Sequence, residues 1–172
     1  MNHGARGPAA RLNGLARDAA QRELRRCCAS ECWASELATR RPFASDAALF
    51  SAADDVWWNL EPDDWREAFA SHPRIGERGG GAWSAEEQAG MSDAPTTLEV
   101  EIREGNRAYE AKFGHVFLIC ATGLSAAEMA AALARRLDND PDTELRIAAA
   151  EQARITKLRL QKLATGEPPV TK

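Results

Sequence analysis

The residue whose type and setting best suit chemistry is His72, in the stretch Ser71-His72-Pro73-Arg74-Ile75-Gly76. Its proline and the glycines that follow assign the stretch to a loop, where a histidine has little packing purpose. An imidazole titrates close to neutral pH, so it gives and takes a proton there more readily than other side chains. Taken alone, a solvated loop histidine is the plainer reading. Glu87 is also open to two readings, because Ser84-Ala85-Glu86-Glu87 has the Ser-x-x-Glu form of a capping box. It is either the acid of that cap or a catalytic carboxylate. The remaining histidines offer less: His3 lies in the N-terminal tail, and His115 borders an apolar run where a hydrogen-bonded core or hinge role is expected.

Four cysteines, Cys27, Cys28, Cys32 and Cys120, invite a metal or disulfide reading because three of them cluster. Their spacing supplies no second ligand pair, and Cys28 and Cys32 fall four apart in a stretch read as helical. Buried or reduced structural thiols are therefore expected. A metal hydrolase built on His72, His115 and nearby carboxylates is disfavoured, since no His-x-x-x-His or comparable pair occurs.

The elements that must hold these residues read as helices. Apolar residues recur at three and four from Leu12 to Cys28, predicting one or two short helices, with Trp33 and Leu37 continuing the face. Arg41-Pro42 breaks the pattern. Ser45-Asp46 opens a helix through Leu49, Val56 and Trp57 to about Glu61-Pro62, and Asp63 or Asp64 caps a short one through Trp65 and Phe69. Ser84 starts another after the histidine loop, and Thr96-Thr97-Leu98-Glu99 starts a longer one ending at Gly114. The run 116–123 is apolar and bounded by glycine; periodicity leaves a strand or a helical turn open, and it is read as extended. Ser125 to Glu128 is a further capping box, and Asp140-Pro141 opens a last helix, 141 to about 164. Trp33, Trp57 and Trp65 fall at apolar positions and read as core or dimer surface. The sum is an all-α, single-domain helical bundle over residues 11–164, with residues 1–10 and 165–172 as disordered tails.

Composition sets the limits. At 172 residues, with 44% hydrophobic and 28% charged, the chain has the balance of one globular domain. A net charge of −4 gives no basis for gripping a phosphate backbone, so nucleic acid is excluded as a partner. No apolar run approaches the ~20 residues that span a bilayer, and the N-terminus has no secretory core, so a cytoplasmic location and no membrane partner are expected.

Three separated motifs then fall in a telling order: His72-Pro73-Arg74-Ile75-Gly76-Glu77, Trp83-Ser84 with Glu87-Gln88-Ala89-Gly90, and Phe113-Gly114-His115 through Gly123. With Leu12-Asn13, Cys27-Cys28, Trp33, Arg41-Pro42-Phe43, Arg136 to Asp140 and Ile155 to Leu160, the chain from 11 to 164 resembles the 2-oxo-4-hydroxy-4-carboxy-5-ureidoimidazoline (OHCU) decarboxylases. The resemblance implies an α-helical homodimer without metal or organic cofactor that converts OHCU to (S)-allantoin and CO2 in urate degradation. It implies His72 and Glu87 as catalytic residues. It places Gln88 and Arg159 on the substrate, with Pro73, Ser84 and the backbone from Phe117 to Ile119 lining the pocket. The chain departs from the family pattern at Gly79-Gly80-Gly81 and in the polar stretch Arg22 to Arg26. The competing reading is a non-catalytic helical ligand-binding or interaction module.

Overall fold

The computed structural model describes residues 7–77 and 82–165, so the glycine triplet at 79–81, residues 1–6 and residues 166–172 lie outside the described chain. Nine α-helices and two short 3-10 turns are found among the described residues, with no strand. The helices are α1 (Pro8–Asn13), α2 (Arg17–Cys27), α3 (Glu31–Thr39), α4 (Asp46–Trp58), α5 (Pro62–Ala70), α6 (Ala82–Glu87), α7 (Thr96–Phe113), α8 (Ala126–Arg136) and α9 (Pro141–Lys162). Among the described residues, no helix is long and apolar enough to cross a membrane. The chain comprises two compact units, with a boundary at residues 68 and 69 and another within α9, at residues 152 and 153.

The first unit takes α1 to α4, most of α5 and the C-terminal part of α9. Helix formation here follows local chemistry. Ser30 and Ser45 accept from the backbone N–H of Trp33 (3.3 Å) and Ala48 (3.1 Å), satisfying donors that a helix start leaves unpaired. Leu12, Leu24, Trp33, Leu37, Leu49, Trp57 and Leu160 are among its buried residues. Both Trp33 and Trp65 bury their rings and still satisfy the indole N–H, on Ala53 O (3.1 Å) and Trp57 O (2.9 Å). The Arg41-Pro42-Phe43 stretch is a clip: Arg41 donates to Ala38 O, Leu12 O and Leu15 O, while Asn13 and Phe43 exchange two 2.9 Å hydrogen bonds.

Several boundaries differ from the sequence reading. Residues 8–10, expected in the tail, form the first turn of α1, because Pro8 is preset for a helix start and Ala9 N–H donates to Asp46 (2.9 Å). The stretch from Leu12 to Cys28 holds two helices, α1 and α2, with a break at Gly14; Cys28, whose backbone is extended, ends α2, and Trp33 and Leu37 lie on a separate helix, α3. Cys28 and Cys32 therefore share no helix. Cys27 and Cys28 are buried, Cys120 half-buried and Cys32 exposed, all as free thiols. Burial pushes the Cys28 thiol up to about 12 and that of Cys27 higher still, so both are protonated packing groups. Helix α4 stops at Trp58, before Glu61, and α5 starts on Pro62.

The second unit runs from Phe69 to Gln152. Helices α7 and α8 pack face to face, and Gly105 permits the approach: a Cβ there would sit 2.6 Å from Leu133 Cδ2. Ile75, Ile102, Tyr109, Phe117, Ile119, Met129 and Leu133 form the core. Gly114 ends α7 in the left-handed conformation (φ 76°), as glycine permits. The Ser125–Glu128 capping box forms in full, with the Glu128 side chain accepting from Ser125 N–H (2.8 Å) and Ser125 Oγ from Glu128 N–H (3.2 Å). Asp140 caps α9 on Thr143 N–H (3.0 Å). The other two boxes do not form as read. Helix α6 begins at Ala82, so Ser84 lies inside it, and α7 begins at Thr96 after Pro95, which has no side-chain acceptor. Residues 116–121, read as extended, are neither helix nor strand.

Candidate active site

His72 follows the end of α5, where its N–H donates to Phe69 O (3.1 Å). The loop after it is held from several sides. Asn106 of α7 donates to Ile75 O (3.0 Å), Ile75 is buried, and Gly76 N–H donates to Gln88 Oε1 (3.0 Å). Arg74 points to a different task, as a two-pronged strap on Glu110 of α7 (2.5 and 2.9 Å) that holds the Glu110 carboxyl below its ordinary range. A loop fixed this way presents His72 in a set position.

The half-buried His72 ring meets Gln152 of α9, with Nε2 2.7 Å from Gln152 Oε1. Facing an amide oxygen, Nε2 is the donor in this pairing. Gln152 is fully buried. It stands on the inward stripe of α9, with Leu145, Ala148 and Ala149, and a polar residue on an apolar stripe is the signal that sequence reading passed over. The neighbouring Glu151 takes Cys120 N–H at 2.8 Å, so adjacent residues of α9 hold the histidine and the 116–121 segment.

That segment has an unusual backbone. Phe117, Leu118 and Ile119 are buried, yet among the described residues no hydrogen bond leaves their N–H groups. The Phe117 ring turns the other way, into a stack with Tyr109 (5.3 Å) and the Arg136 guanidinium (4.6 Å), so only its backbone is available. His115, half-buried, packs among Phe69, Tyr109 and Phe113 with Nδ1 3.1 Å from Val116 O.

Glu87 is the last residue of α6 and is buried, as is Ser84 one turn earlier. The Gly76–Gln88 bond ties the histidine loop to the residue next to Glu87. With its oxygen so engaged, Gln88 keeps two amide N–H donors for other partners. Pro73 is half-buried beside His72. Arg159 is buried on the C-terminal part of α9 and is described with the first unit, near Cys27 and Cys28. No group of three or more His, Cys, Asp or Glu residues able to hold a metal ion occurs among the described residues.

An imidazole backed by a buried amide, a buried carboxylate and a row of backbone donors can do acid–base work on a small polar molecule. The scaffold that carries these residues is helical, with no strand among the described residues. The sequence model of the OHCU decarboxylases matches residues 13–161. The chain belongs to the OHCU decarboxylase family. It is 35% identical over 165 residues to the Arabidopsis thaliana uric acid degradation bifunctional protein TTL, a match covering 91% of this chain and 51% of that protein. The chain thus spans about half the length of that relative. It is 30% identical to the Haloferax volcanii OHCU decarboxylase, covering 78% of this chain and 83% of that one. A crystal structure of OHCU decarboxylase in the presence of (S)-allantoin is similar, with TM-score 0.76 and 38% identity over 83% of this chain and 97% of that one. The structure of an (S)-allantoin synthase shares the fold, at TM-score 0.69 and 16% identity over 90% of this chain and 53% of that one.

Proposed function

We propose that this chain decarboxylates OHCU to (S)-allantoin and CO2 without metal or organic cofactor. The observation that carries the reading is the His72 ring, hydrogen-bonded at 2.7 Å to the fully buried Gln152 of α9. The substrate supplies its own electron sink, an imine one bond from the carboxylated carbon. As the bond to the carboxylate breaks, its electron pair forms a carbon–carbon double bond and the imine pair moves to nitrogen. The ring nitrogen is protonated, and the resulting enol becomes a carbonyl as a proton is added to the ureido-bearing carbon. Protein groups need only orient the ring, accept the shift of charge and deliver that proton to one face.

His72 carries the proton, and Glu87 polarises it or clamps the ureido N–H groups. Gln88 reads the ring amide with its N–H donors, while Pro73, Ser84 and the N–H groups of Phe117 and Ile119 line the substrate. Arg159 donates to a substrate oxygen; that assignment rests on the resemblance alone. Freshly generated OHCU, followed by absorbance with and without the protein, tests the reading. Accelerated loss that falls ~10²-fold or more in His72→Asn supports it, and loss at the uncatalysed rate leaves a non-catalytic module. The protein acts as a homodimer, a reading that rests on the resemblance to the family. Light scattering that gives a monomer mass at micromolar concentration would contradict it. A cytoplasmic location fits free thiols, and cell fractionation checks it.

A further inference from the structure

The stretch Arg136 to Asn139 belongs to none of the groups assigned above, yet it surrounds a heavily bonded charge. Glu144 is fully buried. Its Oε1 accepts from Arg136 Nε (2.8 Å), Arg136 Nη2 (2.5 Å) and the Tyr109 hydroxyl, and its Oε2 accepts from Asn139 Nδ2 (2.9 Å). Burial, and after it the hydrogen bond to Glu144, raises the Tyr109 phenol well above its ordinary range, so it stays a donor. One Arg136 nitrogen remains, Nη1, and it donates to Leu118 O at 2.7 Å.

A buried ion pair is a weak source of stability, because desolvation cancels much of its attraction. What an apolar replacement cannot do is hold a carbonyl. Leu118 and Ile119 are joined by a trans peptide, so the Leu118 carbonyl and the Ile119 N–H lie in one plane and point in opposite directions. Pinning the oxygen toward the Arg136 side therefore turns the Ile119 N–H away from it. The following peptide is pinned as well, through Cys120 N–H on Glu151 (2.8 Å). Only the two soft torsions of Ile119 lie between the fixed planes.

We propose that Arg136, braced by Glu144, is a positioning residue for the decarboxylation: it aims the Ile119 N–H at the substrate. This rests on the decarboxylase reading above. Arg136→Lys keeps a cation beside Glu144 but cannot span both the carboxylate and Leu118 O. Tyr109→Phe removes a bond to Glu144 and leaves the Leu118 link, so it reports the cost of loosening the core alone.

The experiment measures kcat and KM with OHCU for the parent and both variants below their melting temperatures. It also follows the Ile119 amide by nitrogen-15 NMR as (S)-allantoin is added. Arg136→Lys is expected to lose on the order of 10- to 100-fold in kcat/KM, as befits a donor misaligned rather than deleted, and the Ile119 amide to lose its response to (S)-allantoin. Tyr109→Phe should melt lower yet stay within about twofold of the parent in kcat/KM. Parental kinetics and an unchanged Ile119 response in Arg136→Lys would overturn the proposal, as would an equal loss in Tyr109→Phe. If Arg136→Lys does not fold, Arg136→Met with Glu144→Gln carries the same comparison, since it leaves no uncompensated buried charge. A parent that neither accelerates OHCU loss nor responds to (S)-allantoin at Ile119 would sink the decarboxylase reading itself.

Discussion

Gln152→Leu separates a histidine that is merely packed from one that is oriented for proton transfer. Gln152 is fully buried, and its amide oxygen faces His72 Nε2 at 2.7 Å. Leucine keeps the bulk of the side chain and removes the acceptor. A buried donor left unsatisfied costs ~1–3 kcal/mol, and in a chain of this size each kcal/mol lowers the melting temperature by ~2–4 °C. A drop of roughly 2–12 °C is therefore expected from stability alone. The larger effect should be on turnover. Without its acceptor the ring loses a fixed tautomer and a fixed direction, and kcat should fall on the order of 10- to 100-fold with KM nearly unchanged. The assay is a cycle of four proteins: parent, Gln152→Leu, His72→Asn and the double variant. If Gln152 acts through His72, its removal costs turnover in the parent and almost nothing more once His72 is gone. Gln152→Glu, which restores an acceptor, should recover part of the loss. Equal losses from Gln152→Leu in both backgrounds would refute the reasoning, because the amide would then serve something other than the histidine.

Glu87→Gln should melt within a few degrees of the parent and lose most of its turnover, since the amide is isosteric but a weaker acceptor than the carboxylate; near-parental kcat at saturating OHCU would remove Glu87 from the mechanism. Ser125→Ala breaks the capping box of α8 and should lower the melting temperature by ~2–4 °C with turnover intact, whereas Ser84→Ala, inside α6, removes no helix cap. The Ser125 N–H holds the Glu128 carboxyl below its ordinary 4.5, so the cap's contribution is complete above that value and is lost as pH falls through the lowered one. The melting difference between parent and Glu128→Ala should shrink accordingly in acid, and a constant difference would contradict the capping account. A thiol reagent at pH 8 should modify Cys32 in the folded protein and reach Cys27 and Cys28 only after denaturation, as mass spectrometry would record.

Much of the fold was legible because caps and prolines are local signals. Ser45, Ser125 and Asp140 start helices where their types require, and Gly114 stops one. The boxes at Ser84 and Thr96 misled because the same four-residue pattern fits inside a helix as well as at its start, and α6 and α7 begin earlier. His72 was legible from its residue type in a polar loop. Its partner was not, because Gln152 lies 80 positions away and the spacing of a long helix does not tell which of its polar residues turn inward. The run at 116–121 gave no period, since its order comes from distant groups: Arg136 on Leu118 O and Glu151 on Cys120 N–H. Arg136 to Asn139 could be recognised as part of the resemblance, but their purpose appears only when residues 118, 136 and 144 meet.

The central claim is that this protein directs a proton to one face of the ureido-bearing carbon. Uncatalysed decay of OHCU gives racemic allantoin, so the product's handedness reports the protein and nothing else. Fresh OHCU should be supplied in deuterated water and the early product followed by circular dichroism and mass spectrometry. The account predicts (S)-allantoin in excess during the enzymatic phase, with one deuterium at that carbon, and loss of the excess in His72→Asn. Racemic product at the earliest times from the parent protein would contradict it.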